Sequence, residues 1–195
     1  MDLDSRAAFL NFAGLLQGGL VFAAVLLGSW TGLAPLGQIQ FTASDVLVGL
    51  LAVLPMLVVF ATARNLRSLV VDLLGRPLSL CTWYDLLLLA ALAGLGEELM
   101  FRGVLEPWIG RIHPLAGLIA ANVIFGLLHA LTPTYAVLAT LFGFYLSWLA
   151  ADPGDANLLR PILTHAVYDY IAFLLVVREY RRRPPDGGVP SGTGT

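Results

Sequence analysis

Two adjacent carboxylates, Glu97 and Glu98, lie within a long apolar stretch of the sequence. Charges at membrane depth are costly, and where they occur they usually face a cavity, pair and serve a function. Arg102 follows Glu98 by four residues, the favourable spacing and order for an ion pair on a helix, and Glu106 continues the same face. Glu97 is rotated from Glu98 by about 100°. The spacing therefore predicts one neutralised carboxylate and one that is left to act as a base.

Two histidines later in the chain have the chemistry to work with such a base. Phe125 precedes His129 by four residues, and His165 precedes Asp169 by four. A carboxylate one helical turn from an imidazole can fix its tautomer and orientation. Glu97 and one histidine can then take a proton from water, while the second histidine donates a hydrogen bond to an oxyanion. The chemistry that these residue types predict is hydrolysis.

Each of these residues also has a purely structural interpretation. Glu98 and Arg102 can form a buried ion pair in any polytopic protein. A lone histidine on an apolar face is more often a core residue with its hydrogen bonds satisfied. The interpretation as a site depends on the presence of all of these residues together in the second half of the chain.

The composition indicates the surroundings of these residues. Of the 195 residues 58% are hydrophobic and 12% are charged, and the mean hydropathy is +0.82. Soluble domains carry about 25% charged residues, so we expect an integral membrane protein. The continuous apolar runs favour helices over strands. The net charge of -2 gives no indication of a nucleic-acid partner, and the single cysteine, Cys81, excludes an intramolecular disulfide.

We predict an all-α polytopic transmembrane bundle with six spans, each of about 20 apolar residues. A single domain covers residues 1–183, the motifs lie within 83–177, and residues 184–195 form a disordered tail rich in Pro, Gly, Ser and Thr. A short interfacial helix follows the second span and ends at Gly75 and Pro77. The predicted spans cover approximately residues 7–30, 45–63, 83–108, 115–131, 134–150 and 161–177.

Arginine placement predicts the orientation. Arg64, Arg67 and Arg76 share one loop, and four further arginines follow the last span. With six spans both groups lie on the same side, which is the cytoplasmic side by the positive-inside rule. Both termini are then cytoplasmic, in what we expect to be a bacterial plasma membrane.

The three motifs together resemble those of the CPBP family, the CAAX-processing and bacteriocin-processing (Abi) intramembrane proteases. Residues 97–102 are similar to its EExxxR motif, residues 125–129 to FxxxH, and residues 165–169 to HxxxN or HxxxD. They occur in the family's order, each on a predicted span. The resemblance covers about half of the chain, and it implies an all-helical membrane fold that hydrolyses peptide bonds.

The resemblance also implies roles for single residues. Glu97 and His129 activate water, and Glu98 pairs with Arg102. The site residues that we expect on the oxyanion side are His165 and Asp169, and those that support the site from a neighbouring span are Asn122 and Phe125.

Asp169 stands where the eukaryotic CAAX enzymes carry Asn, and an ionised carboxylate repels an oxyanion. We therefore favour a role for Asp169 in orienting His165 over direct donation to the oxyanion.

We expect no cofactor, although zinc dependence stays open. The residues that would serve as zinc ligands are Glu97, His129, His165 and Asp169. The expected partners are the lipid bilayer and a membrane-associated peptide or lipidated protein terminus. Two alternatives also stay open: an inactive scaffold or immunity protein on the same fold, and a proton-coupled transporter. The substrate, the cleavage site and the oligomeric state do not follow from the sequence.

The depths of the candidate residues pose one problem for a shared site. With straight spans, Glu97 lies about 20 Å from the inner face at 1.5 Å per residue. His129 comes out nearer that face and His165 nearer the outer one. A common site requires tilted, longer or broken helices.

Overall fold

The computed structural model describes residues 5–151 and 156–183. Within these ranges the chain is helical and contains no strand, so the predicted all-α bundle is confirmed. The predicted tail, residues 184–195, lies outside the described residues. The helices are α1 (Arg6–Thr31), α2 (Ala43–Leu51), α3 (Val53–Thr62), α4 (Arg64–Ser79), α5 (Trp83–Met100), α6 (Glu106–Gly110), α7 (Pro114–Leu128), α8 (Pro133–Ala150) and α9 (Leu159–Arg182).

Among the described residues, four helical segments are long and apolar enough to cross a membrane: α1, residues 43–62, α8 and α9. Helix α7 is apolar but has 15 residues. Helix α5 has 18 residues, three of which are the acidic Asp85, Glu97 and Glu98. All six predicted spans are thus helical, and two of them depart from the simple pattern because one is short and the other carries charge.

Helix α4 continues past its predicted end. It includes both Gly75 and Pro77 and ends at Ser79, so the prediction that Gly75 and Pro77 end the helix is wrong. Gly75 has a packing role: a Cβ there would lie 2.5 Å from Cδ2 of Tyr180 on α9. The glycine lets the tyrosine ring lie directly on the α4 backbone. Pro77 lies in the last turn, so the hydrogen bond that it cannot donate is lost near the end of α4 and not in its middle.

Helix α5 lies between α1 and α9 and packs against both. Two glycines explain how closely the three helices approach. A Cβ on Gly94 would lie 2.8 Å from the backbone nitrogen of Ala166 in α9, and one on Gly96 would lie 3.1 Å from the backbone oxygen of Gln17 in α1. Because residues two apart are rotated by about 200°, the two glycines serve opposite faces of α5. The next two residues, Glu97 and Glu98, therefore lie within reach of both neighbouring helices.

Helix α5 does not simply continue into α6. Residues Phe101–Leu105 form a π-turn between them. A π-turn holds more residues per turn than an α-helix. Glu106 accepts a hydrogen bond from the Ser147 hydroxyl of α8, 2.6 Å from Oε2. Arg102 also contacts α8, at the carbonyl oxygen of Gly143. The two side chains therefore face the same neighbouring helix, in agreement with the predicted shared face.

Candidate active site

One cavity of about 260 Å³ collects the candidate catalytic side chains. Glu97 lines it from α5, His129 from the end of α7, and His165 and Asp169 from α9. Most of the remaining wall is apolar and comes from α3, α4, α8 and α9. Residues from three separate motifs, up to 72 positions apart in the sequence, therefore share one cavity.

Glu97 presents one carboxylate oxygen to this space. Its side chain is buried, and Oε1 accepts a hydrogen bond from Nε2 of Gln17 at 3.0 Å. Oε2 is buried and has no hydrogen-bond partner. It lies 3.5 Å from Nε2 of His129 and 3.8 Å from Nε2 of His165. A buried acceptor without a partner is costly, and here it faces two imidazoles across a gap longer than a direct hydrogen bond.

The other ring nitrogen of each histidine is held by an acceptor. Nδ1 of His129 lies 2.8 Å from the carbonyl oxygen of Phe125, and Nδ1 of His165 lies 2.8 Å from Oε1 of Glu98. A carbonyl and a carboxylate accept hydrogen bonds, so we assign the Nδ1 proton to both rings. Both Nε2 atoms then carry a lone pair in the neutral rings. Two nitrogens and Oε2 of Glu97 thus converge on one position that suits a polarised water or a cation.

Asp169 lies beside His165, as their four-residue spacing predicted. Its Oδ2 lies 3.5 Å from Nε2 of His165, on the side of the ring that faces the cavity. The short hydrogen bond to the ring comes from Glu98, at Nδ1. A role for Asp169 in orienting His165 stays a prediction. Glu98 can reach the ring because α5 and α9 are in backbone contact at Gly94.

Glu98 and Arg102 form the ion pair that their spacing indicated. Nη1 of Arg102 lies 3.0 Å from Oε1 of Glu98, and both side chains are buried. Nη2 donates to Oδ1 of Asn122 at 3.1 Å and to the carbonyl oxygen of Gly143 at 2.8 Å. Nδ2 of Asn122 in turn donates to Oγ of Ser147 at 2.9 Å. The guanidinium of Arg102 thereby links α5 to α7 and α8 behind the cavity.

Phe125 contributes both its backbone and its ring. Its carbonyl oxygen holds His129, and its ring centroid lies 4.4 Å from that of His129. On another side, Cζ of Arg102 lies 4.7 Å from the Phe125 ring centroid, a distance at which a guanidinium is attracted to an aromatic face. Phe125 therefore separates the buried ion pair from the cavity and contacts both.

The donor types in the cavity are those that bind zinc. In the described part of the chain, however, no group of three or more His, Cys, Asp or Glu side chains is arranged to hold a metal ion. The described positions of these donors do not form a ready-made coordination shell.

Gln17 was not predicted as a site residue. The prediction rested on ionisable residues and their neighbours within the motifs, and glutamine is not ionisable. The signal was nevertheless present, because Gln17 is a polar side chain in the middle of an apolar helix. Such a residue usually has a partner inside the bundle.

Comparison with known proteins adds the family. Residues 79–171 match the family model described as type II CAAX prenyl endopeptidase Rce1-like. The matched segment begins before α5, ends within α9 and contains the three motifs. No curated protein and no solved structure gives a significant match. The match confirms the resemblance to the CPBP family: over residues 79–171 the chain is similar to type II CAAX prenyl endopeptidases of the Rce1-like family.

Proposed function

We propose that the protein is a glutamate-type intramembrane endopeptidase of the CAAX-processing/Abi kind. One observation carries the proposal: the buried, unpartnered Oε2 of Glu97 lies 3.5 Å from Nε2 of His129 and 3.8 Å from Nε2 of His165, on the wall of a cavity. A base, a polarising imidazole and a second imidazole within reach of one water are the components that general-base hydrolysis requires. The family match supports proteolysis as the reaction.

In the proposed mechanism a water binds between Glu97 and His129. Glu97 takes one proton from it, and the oxygen attacks the carbonyl carbon of the scissile peptide bond. The tetrahedral intermediate carries an oxyanion, which a protonated His165 stabilises through Nε2. Carboxylates lie next to both ring nitrogens of His165 and favour its positive charge. Glu97 then returns its proton to the leaving amine, so that water is consumed and two peptide ends are released.

The buried network around Arg102 would keep this geometry rigid. Glu98 holds His165 by its Nδ1, and Arg102 neutralises Glu98. Because Arg102 is itself tied to Asn122 and Gly143, the orientation of His165 depends on α5, α7 and α8 together. We propose that Glu98, Arg102, Asn122 and Phe125 support the site without touching the substrate.

The cavity wall suggests the substrate class. Side chains from α3, α4 and α9 make one part of it apolar, and they include Phe60, Leu66, Val70, Leu74, Phe173 and Val176. We propose a substrate with a lipid group or large apolar side chains next to the scissile bond, such as a lipidated protein terminus in the bilayer. The family's description as prenyl endopeptidases supports the same class.

We also propose that the reaction needs no metal. Were zinc bound, Glu97, His129, His165 and Asp169 would be its ligands, and it would act as a Lewis acid toward water or the substrate carbonyl. A chelator separates the two cases, because the glutamate mechanism predicts unchanged cleavage in its presence. Cleavage abolished by the chelator and restored by zinc would contradict the metal-free proposal.

We propose that the protein lies in a bacterial plasma membrane with both termini in the cytoplasm. The packing of α4 against the end of α9 supports this, since Arg67 lies 3.0 Å from Glu179 and Arg183 pairs with Asp72. The two arginine-rich segments are therefore neighbours, as a common side of the membrane requires.

The test uses the full chain in liposomes with a fluorogenic prenylated CAAX peptide. We expect wild type to cleave it and Glu97→Ala to lose cleavage while remaining folded. Glu179→Ala, at a half-buried glutamate that does not line the cavity, should behave as wild type. Cleavage by Glu97→Ala at the wild-type rate would overturn the mechanism. Proton-driven uptake without cleavage would favour a transporter, and partner binding without cleavage would favour a scaffold.

A further inference from the structure

Gln17 connects α1 to the candidate base, although α1 lies outside the segment that matches the family. Its Nε2 donates to Oε1 of Glu97 at 3.0 Å across 80 residues of sequence. In the described ranges, the Glu97 carboxylate receives this hydrogen bond from another side chain. The bond goes to the carboxylate oxygen that faces away from the histidines.

This contact determines which way the carboxylate points. A carboxylate has a soft terminal torsion and two chemically equal oxygens. With Oε1 held by Gln17, Oε2 is left to face Nε2 of His129 and Nε2 of His165. If the donor were removed, Glu97 could rotate and satisfy either oxygen elsewhere. The open position of Oε2 therefore depends on α1.

The close packing of α1 against α5 allows Gln17 to reach Glu97. Gly96 precedes Glu97, and a Cβ on it would lie 3.1 Å from the Gln17 backbone oxygen and 3.3 Å from Cγ2 of Val21. A larger residue at position 96 would push α1 away and lengthen the hydrogen bond. The glycine is thus the feature of α5 that lets Gln17 reach its neighbour.

The carbonyl oxygen of Gln17 is a second observation. Oε1 of Gln17 is buried without a hydrogen-bond partner, and the residue lines the cavity. Buried acceptors in folded proteins are normally paired. A peptide that enters the cavity brings backbone N–H groups, which are donors of the kind that this oxygen lacks.

We propose that Gln17 is a positioning residue of the site: its amide nitrogen holds Glu97 in the reactive orientation, and its amide oxygen accepts an N–H from the bound peptide. The second part rests on the proposed function, whereas the first concerns only Glu97. The two parts are therefore tested separately.

The first test needs no substrate. Dicyclohexylcarbodiimide modifies protonated carboxyl groups in apolar surroundings, and mass spectrometry of the full chain in liposomes reports the rate at Glu97. A donated hydrogen bond stabilises the carboxylate anion. Gln17→Met keeps the length of the side chain and removes the donor, so we expect labelling to be faster by about tenfold to a hundredfold, the range for losing one hydrogen bond to a charged group.

The matched control is Gln38→Met. Gln38 also donates from Nε2 across the structure, to the Gly103 carbonyl at 3.4 Å, but it does not line the cavity. We expect wild-type labelling of Glu97 in this variant. Labelling in Gln17→Met within about twofold of wild type would overturn the positioning role. Should Gln17→Met fail to fold, Gln17→Asn, which keeps the amide one methylene shorter, takes its place with the same criterion.

The second test uses the prenylated peptide. For Gln17→Met we expect kcat to fall by about tenfold or more and KM to rise severalfold, at an unchanged unfolding temperature. Wild-type kcat in a folded Gln17→Met would overturn the positioning role, and a lower kcat with an unchanged KM would overturn the contact with the peptide. A wild-type protein that does not cleave would contradict the proposed function, while the labelling result would still decide the role of Gln17.

Discussion

Glu97 and Glu98 are consecutive residues with the same side chain, yet they lie in opposite environments. Glu98 is completely buried, with Arg102 and His165 both on its Oε1. Glu97 is 8% exposed and lines a cavity. Oε2 has no hydrogen-bond partner in either residue, but that of Glu97 faces two histidines. One step along α5 rotates the side chain by about 100°. This rotation is enough to place Glu98 in a buried ion pair and Glu97 on the wall of a cavity.

The comparison shows how one helix can separate stability from chemistry. A buried carboxylate is tolerated when a counter-charge and hydrogen bonds satisfy it, and Glu98 has both at Oε1, whereas its Oε2 has no partner. A carboxylate that is to accept a proton must keep an oxygen free, and Glu97 does so at a cost to folding. The histidine between them, His165, contacts Glu98 through one nitrogen and faces Glu97 with the other. Through this ring the buried ion pair sets the geometry of the side chains that line the cavity.

The largest effect is expected from replacing each glutamate by its isosteric amide. Glu97→Gln removes the base, and we expect kcat to fall by about 10²- to 10⁴-fold, the usual contribution of general base catalysis, with an unchanged unfolding temperature. Glu98→Gln should lower the unfolding temperature as well, because Arg102 is left buried without its counter-charge. Peptide cleavage measures the change in kcat, and thermal unfolding in detergent measures the change in unfolding temperature. Equal losses of stability in the two variants would contradict the distinction between a structural Glu98 and a catalytic Glu97.

The next largest effect concerns stability. Arg102→Met leaves Glu98 buried without the guanidinium that neutralises it, for which we expect a loss of about 3–5 kcal/mol in the free energy of unfolding. The double variant Glu98→Gln with Arg102→Met removes both charges and should recover part of that loss. Chemical unfolding of the single and double variants measures the coupling. Additive losses would show that the pair is not the source of the stability.

The smallest effect is expected at Asp169. Because Glu98 already orients His165, Asp169→Asn should lower kcat only by about tenfold, the scale of one local electrostatic contact. Kinetics of cleavage with the prenylated peptide, alongside wild type, give this ratio. A loss of kcat as large as that of Glu97→Gln would place Asp169 among the residues that act directly on the substrate.

Local spacing predicted the pairs that lie on one helix. Glu98 with Arg102 was expected from a four-residue interval, and so was the proximity of Asp169 to His165. The contact between Glu98 and His165 joins residues 67 positions apart. It depends on the close approach of α5 and α9 at Gly94, and spacing within one helix carries no information about which helices meet. Gln17 was missed for the same reason.

The positions of helix ends explain how Glu97, His129 and His165 share one site although straight spans placed them at different depths. The predicted fourth span extended to residue 131, but α7 ends at Leu128 and His129 is the residue that follows it. Helix α9 begins at Leu159, two residues before the predicted start. Helix ends are set by capping and by the following turn more than by hydropathy. The three side chains converge because His129 extends from the end of a short helix toward the middle of its neighbours.

The π-turn at Phe101–Leu105 has a consequence for insertions and deletions in this chain. Residues 83–110 form one continuous helical rod, whose first part faces α9 and the cavity and whose last part directs Glu106 to Ser147 of α8. Deleting a single residue within the turn would rotate everything downstream by about 100°. The rod would shorten by only about 1.5 Å and keep its hydropathy, but its two polar faces would no longer match their partners.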